Sequence, residues 1–348
     1  MATTQPPQQP KLGLTFYSLT NEWVSGKYDL ESLVKRVAEA GIGPGVEIVG
    51  FATIRSFPEV SSDFVKSWRD LLDKYELEPS CLAINIDSAL RRDRMLTEDE
   101  AADYLLRQLE SAHKLGFPTV RTQMGATPGV IAKVVPTAEK YGIKMGMEIH
   151  APEGAASPSV LRVREAYEKI GSPVLGFTPD FSSTMHSLPP GQIEAFIRDG
   201  MARELVADLN AAWRLEGTPL DRFEFFAEAA AAKGYRRNSI AHVQMGFNMF
   251  GREAVESWQD ILPQVVHVHS KFYEIDEAGN EPSIDVPRIM ELLVDGGYTG
   301  YVSSEWEGHV FREANEVDPI ELIQRHHRLE RRGIEAALQK QQKHQVSA

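Results

Sequence analysis

Four strand-like segments between residues 144 and 307 end in side chains that could hold a cation. The first spans residues 144–150, KMGMEIH, where Glu148 and His150 stand two positions apart. Alternate residues of a strand share a face, so this carboxylate and imidazole leave the strand's C-terminal end in the same direction. Three later segments end alike: Asp180 in LGFTPDF, His269 in VVHVHSKF and Glu305 in YVSSEWEG. Packing does not account for such groups, because buried charge is costly unless paired or bound to a metal. Three converging carboxylates raise one another's pKa unless a counter-ion sits among them. A divalent cation meets that need. Oxygen-rich ligation with one imidazole suits Mn²⁺ first, then Mg²⁺ or Co²⁺, with Zn²⁺ also open.

The elements that must position these groups alternate along the chain. Strand patterns cover residues 12–19, 46–49, 80–86, 118–123, 144–150, 175–181, 265–271 and 300–305. Helical spacing predicts helices over 28–41, 61–75, 130–141, 159–170 and 286–295. Another runs from Thr97, an N-cap followed by three acids suited to the positive end of the dipole, to about residue 116. A terminal helix starts at Asp318 and ends in polar residues 340–343. The rhythm breaks over residues 182–264, which hold no strand pattern, only helical stretches such as 192–216 and 223–232.

Eight strands separated by helices mean a parallel sheet with right-handed crossovers. The expected fold is an α/β, (β/α)8 TIM barrel with a helical insertion between strands six and seven. Residues 1–10 read as a tail, 11–330 as the barrel with its insertion at 182–264, and 331–348 as a C-terminal helix and tail. An open nucleotide-binding sheet would place a glycine-rich loop after its first strand. Here Gly41, Gly43 and Gly45 follow a helix and precede a strand, the wrong order for cradling phosphate. In a barrel the active site lies at the C-terminal strand ends, which puts Glu148, Asp180, His269 and Glu305 on one rim.

Each residue also has a plainer reading. Glu148 could pair with an arginine such as Arg121, and Asp180 could cap a turn. His267 shares a face with His269, and Glu307 with Glu305, so alternation does not choose within either pair. One of the two glutamates could be solvated. The joint pattern at four successive strand ends favours the metal. Arg325, His326, His327 and Arg328 form a polar run on the terminal helix, read as a solvated or interface face.

Composition narrows the classes. The chain has 348 residues, 42% hydrophobic and 25% charged, with net charge −13 from 37 basic and 50 acidic residues. An acidic surface disfavours nucleic acid. No run approaches the roughly 18 apolar residues of a membrane span. The N-terminal residues MATTQPPQQP lack a signal peptide's basic start and apolar core. Cys81, the one cysteine, lies in an apolar segment and forms no internal disulfide, so the chain reads as cytoplasmic. No G-x-S-x-G nucleophile signal occurs.

The succession MEIH, PDFSSTMH, HVHSK and VSSEWEG, with GVEIVG around Glu47 as the second strand, resembles the xylose isomerase-like barrels, the sugar isomerase and epimerase superfamily. That resemblance covers residues 12 to about 328. It implies that Glu148, Asp180, His269 and Glu305 are metal ligands. The sequence departs from the usual pattern in two places: the histidine nearest after Asp180 is His186, and Phe272 stands where an aspartate commonly follows His-x-Lys. Over its whole length the chain is similar to the catalytic α subunits of bacterial C-glycoside deglycosidases. This implies a sugar or glycoside substrate, a smaller β subunit as partner and an oligomeric assembly.

A metal chelated by a sugar ketone and its neighbouring hydroxyl stabilises the charge formed when the adjacent C–H is deprotonated. His150 is the favoured base, with Glu148 and Glu305 beside it; the competing role for His150 is to orient Glu148. His186, Lys271, Gln123 and His267 are the candidates for substrate contact. The expected activity is cleavage of a 3-oxo-C-glucoside by enolisation and elimination, the alternative being isomerisation or epimerisation of a free ketose or inosose. Other classes fit less well. A multi-metal endonuclease would need histidines at strands two to four, and a metal-free two-carboxylate glycosidase leaves Asp180 and His269 unexplained. A non-enzymatic sugar-binding barrel would need neither base nor metal.

Overall fold

The structure is a computed structural model that describes residues 9–313 and 315–347, with side chains to residue 343. Of the expected tail, only residues 9 and 10 fall within it. Eight strands form one parallel sheet: β1 (Lys11–Thr15), β2 (Gly45–Val49), β3 (Glu78–Ala83), β4 (Thr119–Thr122), β5 (Lys144–Ile149), β6 (Leu175–Pro179), β7 (Val268–Phe272) and β8 (Tyr301–Trp306). Their order is β6-β5-β4-β3-β2-β1-β8-β7. Parallel bridges from Phe177 to Val265 and from Asp180 to His269 join the two edges, so the sheet closes into a (β/α)8 barrel.

The barrel helices are α1 (Leu30–Glu39), α2 (Ser62–Lys74), α3 (Glu98–Leu115), α4 (Pro128–Tyr141) and α5 (Pro158–Ile170). The sequence marks their ends. Thr97 and Glu100 exchange side-chain and backbone hydrogen bonds as a capping box at the start of α3. Gly116, Gly142 and Gly171 take left-handed conformations just past α3, α4 and α5. The first strand stops at Thr15, earlier than its apolar pattern suggests. The Thr15 hydroxyl accepts the Tyr17 N–H and turns the chain into a 3-10 turn at Phe16–Leu19.

Between β6 and β7 the chain makes its long excursion, with α6 (Pro190–Arg198), α7 (Val206–Trp213) and α8 (Pro219–Ala232) as its main helices. The periodicity over 192–216 predicted one continuous helix. The chain breaks after Arg198 instead, and Gly200 takes φ +115° before the helix resumes. The excursion has its own aromatic centre, in which the rings of Phe223, Phe226 and Phe247 pack tilted or edge-on with centroids 6.0–6.5 Å apart. Its far end returns beside its beginning. Gly251 donates to the Ser182 carbonyl at 2.7 Å and Glu253 to the Ser183 carbonyl at 3.0 Å, with an antiparallel bridge between Thr184 and Arg252.

The seam between β6 and β7 depends on small residues. A side chain at Gly176 would collide with the Gln264 carbonyl, and one at Gly146 would meet Val266 at 2.9 Å. The returning chain therefore presses directly on β5 and β6.

After α9 (Val286–Asp295) and β8, the terminal helix α10 (Pro319–Ser347) runs through residue 330 without a break. Its His326 and His327, expected at a solvated or interface face, are buried within the chain itself. They lie on the same stripe as Ile320, Ile323, Ile334 and Ala337, which pack on the barrel. His326 stacks on Phe272 at 4.0 Å, and His327 Nε2 donates to the Gly13 carbonyl at 3.0 Å. Among the described residues no helix is long and apolar enough to cross a membrane.

Candidate metal centre

The ladder sets the height of each group. β7 and β8 pair Lys271 with Glu305, and the bridge at the seam places Asp180 beside His269. One donor atom from each of Glu148, Asp180, His269 and Glu305 lies within 4.8 Å of the others, and all four residues are buried.

Glu148 Oε1 is 2.8 Å from His269 Nδ1, and its Oε2 is 3.7 Å from Arg121 Nη1. The arginine pairing expected as a rival reading therefore exists together with the cluster. Asp180 caps the turn expected as its plainer reading and also lies in the cluster. Its Oδ1 accepts the Ser182 N–H at 2.7 Å and caps the turn Phe181–Ser183, while Oδ2 faces the cluster. His269 Nδ1 lies 3.4 Å from Glu305 Oε2. Asp180 Oδ2 and Glu305 Oε2 are buried without hydrogen-bond partners. Lys271 Nζ stands near both, at 3.2 and 3.7 Å.

Lys271 is buried and also meets Glu307 Oε2 at 2.9 Å and His150 Nε2 at 2.8 Å. Glu307, which alternation left as a candidate for solvation, is instead buried, and its Oε1 accepts the Tyr17 phenol at 3.1 Å. His150 Nδ1 is 2.7 Å from the Ala151 carbonyl. A carbonyl only accepts and an ammonium only donates, so Nδ1 carries the hydrogen and the Nε2 lone pair faces Lys271 and the cluster.

Five buried carboxylates, Glu47, Glu148, Asp180, Glu305 and Glu307, face two permanent cations, Arg121 and Lys271. The imbalance shows in their titration. Burial, reinforced by the charges of Asp180 and Glu148, pushes Glu305 up to about 8 against the pull of Lys271 and His269. Burial opposes charge on His269 too, yet the carboxylates of Glu47, Glu305 and Glu148 outweigh it and hold the imidazole well above its ordinary value. Glu148 stays well below the carboxylate range because Arg121 and His269 outweigh its burial. A divalent cation among these oxygens fits the donor set and the charge deficit.

The other candidates lie elsewhere. Gln123 stands exposed just past β4, and His186 is exposed beyond β6 with its backbone N–H on the Ser283 carbonyl. His267, expected to meet substrate, is turned inward. It is buried, with Nε2 2.8 Å from Glu47 Oε2 and 3.1 Å from Ser303 Oγ. The pattern of strand ends passed over Glu47 because it lies mid-strand. Its signal was a lone acid inside the otherwise apolar GVEIV, which becomes β2.

The family model of the xylose isomerase-like TIM barrel matches residues 34–329. The chain is also 45% identical over 329 residues to a C-glycoside deglycosidase alpha subunit of Arthrobacter globiformis, covering 94% of this chain and 93% of that one. It belongs to the xylose isomerase-like TIM barrels, and within them to the C-glycoside deglycosidase alpha subunit family. A 3'-dehydrocarminate deglycosidase alpha subunit of Microbacterium sp. is 40% identical, over 93% of this chain and 95% of that one. Among solved structures, an L-ribulose 3-epimerase superposes with TM-score 0.59 at 13% identity, over 98% of this chain and 99% of that one, and shares the fold. Members of this family are enzymes, and so is this chain.

Proposed function

We propose that the chain is the catalytic subunit of a divalent-metal-dependent C-glycoside deglycosidase acting on 3-oxo-C-glucosides. The observation that carries this reading is the convergence of Glu148, Asp180, His269 and Glu305 beside Lys271, whose ammonium meets the His150 Nε2 lone pair at 2.8 Å. The names of the relatives supply the substrate class. Glu148, Asp180, His269 and Glu305 would hold the ion, with Mn²⁺ the first choice for three carboxylates and an imidazole and Mg²⁺, Co²⁺ or Zn²⁺ as substitutes. When bound, the ion would supply a Lewis acid for the C3 ketone oxygen.

The acidic proton is on C2, next to that ketone. His150 Nε2 removes it, and the hydrogen bond from Nδ1 to the Ala151 carbonyl steadies the imidazolium that results. Lys271, held by Glu307 and Asp180, lies against the same nitrogen and is placed to bond a substrate oxygen. Elimination then forms C1=C2 and breaks the bond from C1 to the aglycone. The aglycone carbon takes the bonding pair and a proton, so no oxidant or reductant is needed. The exposed side chains of Gln123 and His186 are further contacts for the sugar or aglycone. A smaller β subunit, as the word alpha in the relatives' names suggests, completes an oligomer.

The test uses chelated protein restored with Mn²⁺ and offered a 3-oxo-C-glucoside, with and without a β subunit from a relative. Release of free aglycone is expected only with metal. His150→Gln should cut turnover by about 10²–10⁴-fold while one ion still binds. Metal-independent release, or epimerisation of free ketoses without aglycone release, would overturn the reading.

A further inference from the structure

Glu47 lies on β2, across the barrel from β7, and is fully buried in a strand otherwise made of Gly45, Val46, Ile48 and Val49. Placing an ionised carboxylate there costs several kcal/mol, and packing alone gives no reason for it. Both of its oxygens are engaged. Oε1 is 2.9 Å from His269 Nε2, and Oε2 is 2.8 Å from His267 Nε2. His267 is fixed in turn by the Ser303 hydroxyl at 3.1 Å.

A neutral imidazole has a single N–H. His269 turns Nδ1 toward Glu148 Oε1 and Glu305 Oε2, and Nε2 toward Glu47. To serve as a ligand through Nδ1, the ring must carry its hydrogen on Nε2. An acceptor-only group opposite Nε2 enforces that tautomer and also sets the ring's tilt. We propose that Glu47 is a positioning residue: its carboxylate accepts N–H bonds from His269 and His267 and thereby keeps the His269 Nδ1 lone pair aimed at the other three donors. This rests on the metal reading above.

Glu47, Cys81 and His267 also bring one donor atom each within 4.8 Å. Both Glu47 oxygens are already taken by imidazole N–H groups, so this lower group is the base of the clamp and takes no second ion.

The test compares the full chain with Glu47→Gln and His267→Gln. Mn²⁺ binding is followed by the electron paramagnetic resonance of the free ion. The protonation of each ring nitrogen in the loaded proteins is read by ¹⁵N NMR with diamagnetic Zn²⁺ in place of Mn²⁺, because a metal-free His269 faces a carboxylate at both nitrogens and holds both hydrogens. The parent should bind one ion, with His269 protonated on Nε2 and bare on Nδ1. In Glu47→Gln the amide can present its NH₂ to His269, so the tautomer should become mixed and the Kd should rise about 10–100-fold. His267→Gln leaves the carboxylate in place but frees one of its oxygens, and it should give a smaller rise with the tautomer kept. It also serves as the informative variant if Glu47→Gln does not fold. A purely structural role would lower the unfolding midpoint of the chelated variants and leave the Kd and tautomer of the folded protein unchanged. That outcome, or two ions per parent chain, overturns the assignment alone. A parent that takes up no ion overturns it together with the reading it rests on.

Discussion

The Oδ1 of Asp180 is tied to the Ser182 N–H, while Oδ2 is buried with no hydrogen-bond partner, so one residue shapes the turn and serves the site. Two substitutions separate those roles. Asp180→Asn keeps an acceptor for Ser182 but loses the charge. The chelated protein should stay within about 1 kcal/mol of the parent, and stoichiometric metal should be lost. Asp180→Ala should also lose the cap and cost about 1 kcal/mol more. Urea unfolding and metal analysis of both variants check this, and an Asn variant that retains the ion would remove Asp180 from the ligand set. The sequence made the four donors visible because each is a ligand-type side chain near the end of one of four successive strand-like segments. It hid Glu47 and misplaced His267, because alternation gives the face of a side chain but not its depth. Two residues lower on the same face, a histidine meets another side chain and not a ligand.

The terminal helix α10 shows the same ambiguity at the level of an element. His326, His327 and Glu330 interrupt an otherwise apolar stripe, so the run around them read as solvated. The structure presses them against β1, β7 and β8, with His326 Nδ1 2.8 Å from Ser304 Oγ on the back of the strand that carries Glu305. Burial holds His327 down to about 4 and pushes Glu330 up to about 8.

The signs of these two shifts are opposite. His327 prefers to be neutral when folded, so its contribution is intact above the ordinary value of 6.5 and is lost as pH falls toward 4. Glu330 prefers to be protonated when folded, so its contribution is intact below 4.5 and is lost as pH rises from there to about 8. Across their windows they are worth on the order of 3 kcal/mol for His327 and about 5 kcal/mol for Glu330. Urea unfolding of chelated protein from pH 4 to 8.5 should show decline on both sides of an intermediate optimum. Glu330→Gln should reduce the alkaline slope, with Glu305 and Glu281, also raised to about 8, supplying the remainder, and leave the acid side. An unchanged alkaline slope in that variant would mean that Glu330 is ionised in the folded protein.

At the scale of the molecule, the barrel was legible because eight strand and helix patterns alternate, and any closed parallel sheet with that rhythm brings the strand ends to one rim. The excursion was legible only as an absence of strands. Its helices pack through Phe223, Phe226 and Phe247, contacts distant in sequence that no local period encodes. It also rests on the segments after β7 and β8, where Gly191 donates to Glu274 Oε1 and Arg198 to the Phe311 carbonyl.

The paired hydrogen bonds from Gly251 and Glu253 to Ser182 and Ser183 make the excursion a cassette whose two ends are fastened at one point, one step from Asp180. Because the fastening uses backbone groups, its geometry is independent of what lies between. The stretch 185–250 is therefore exchangeable as a block between relatives, provided the glycine at 191 and the arginine at 198 travel with it. Such a chimera should keep metal affinity within a few-fold and change which aglycones are released. A chimera that folds but loses its metal would show that the cassette, and not the fastening, holds Asp180 in place.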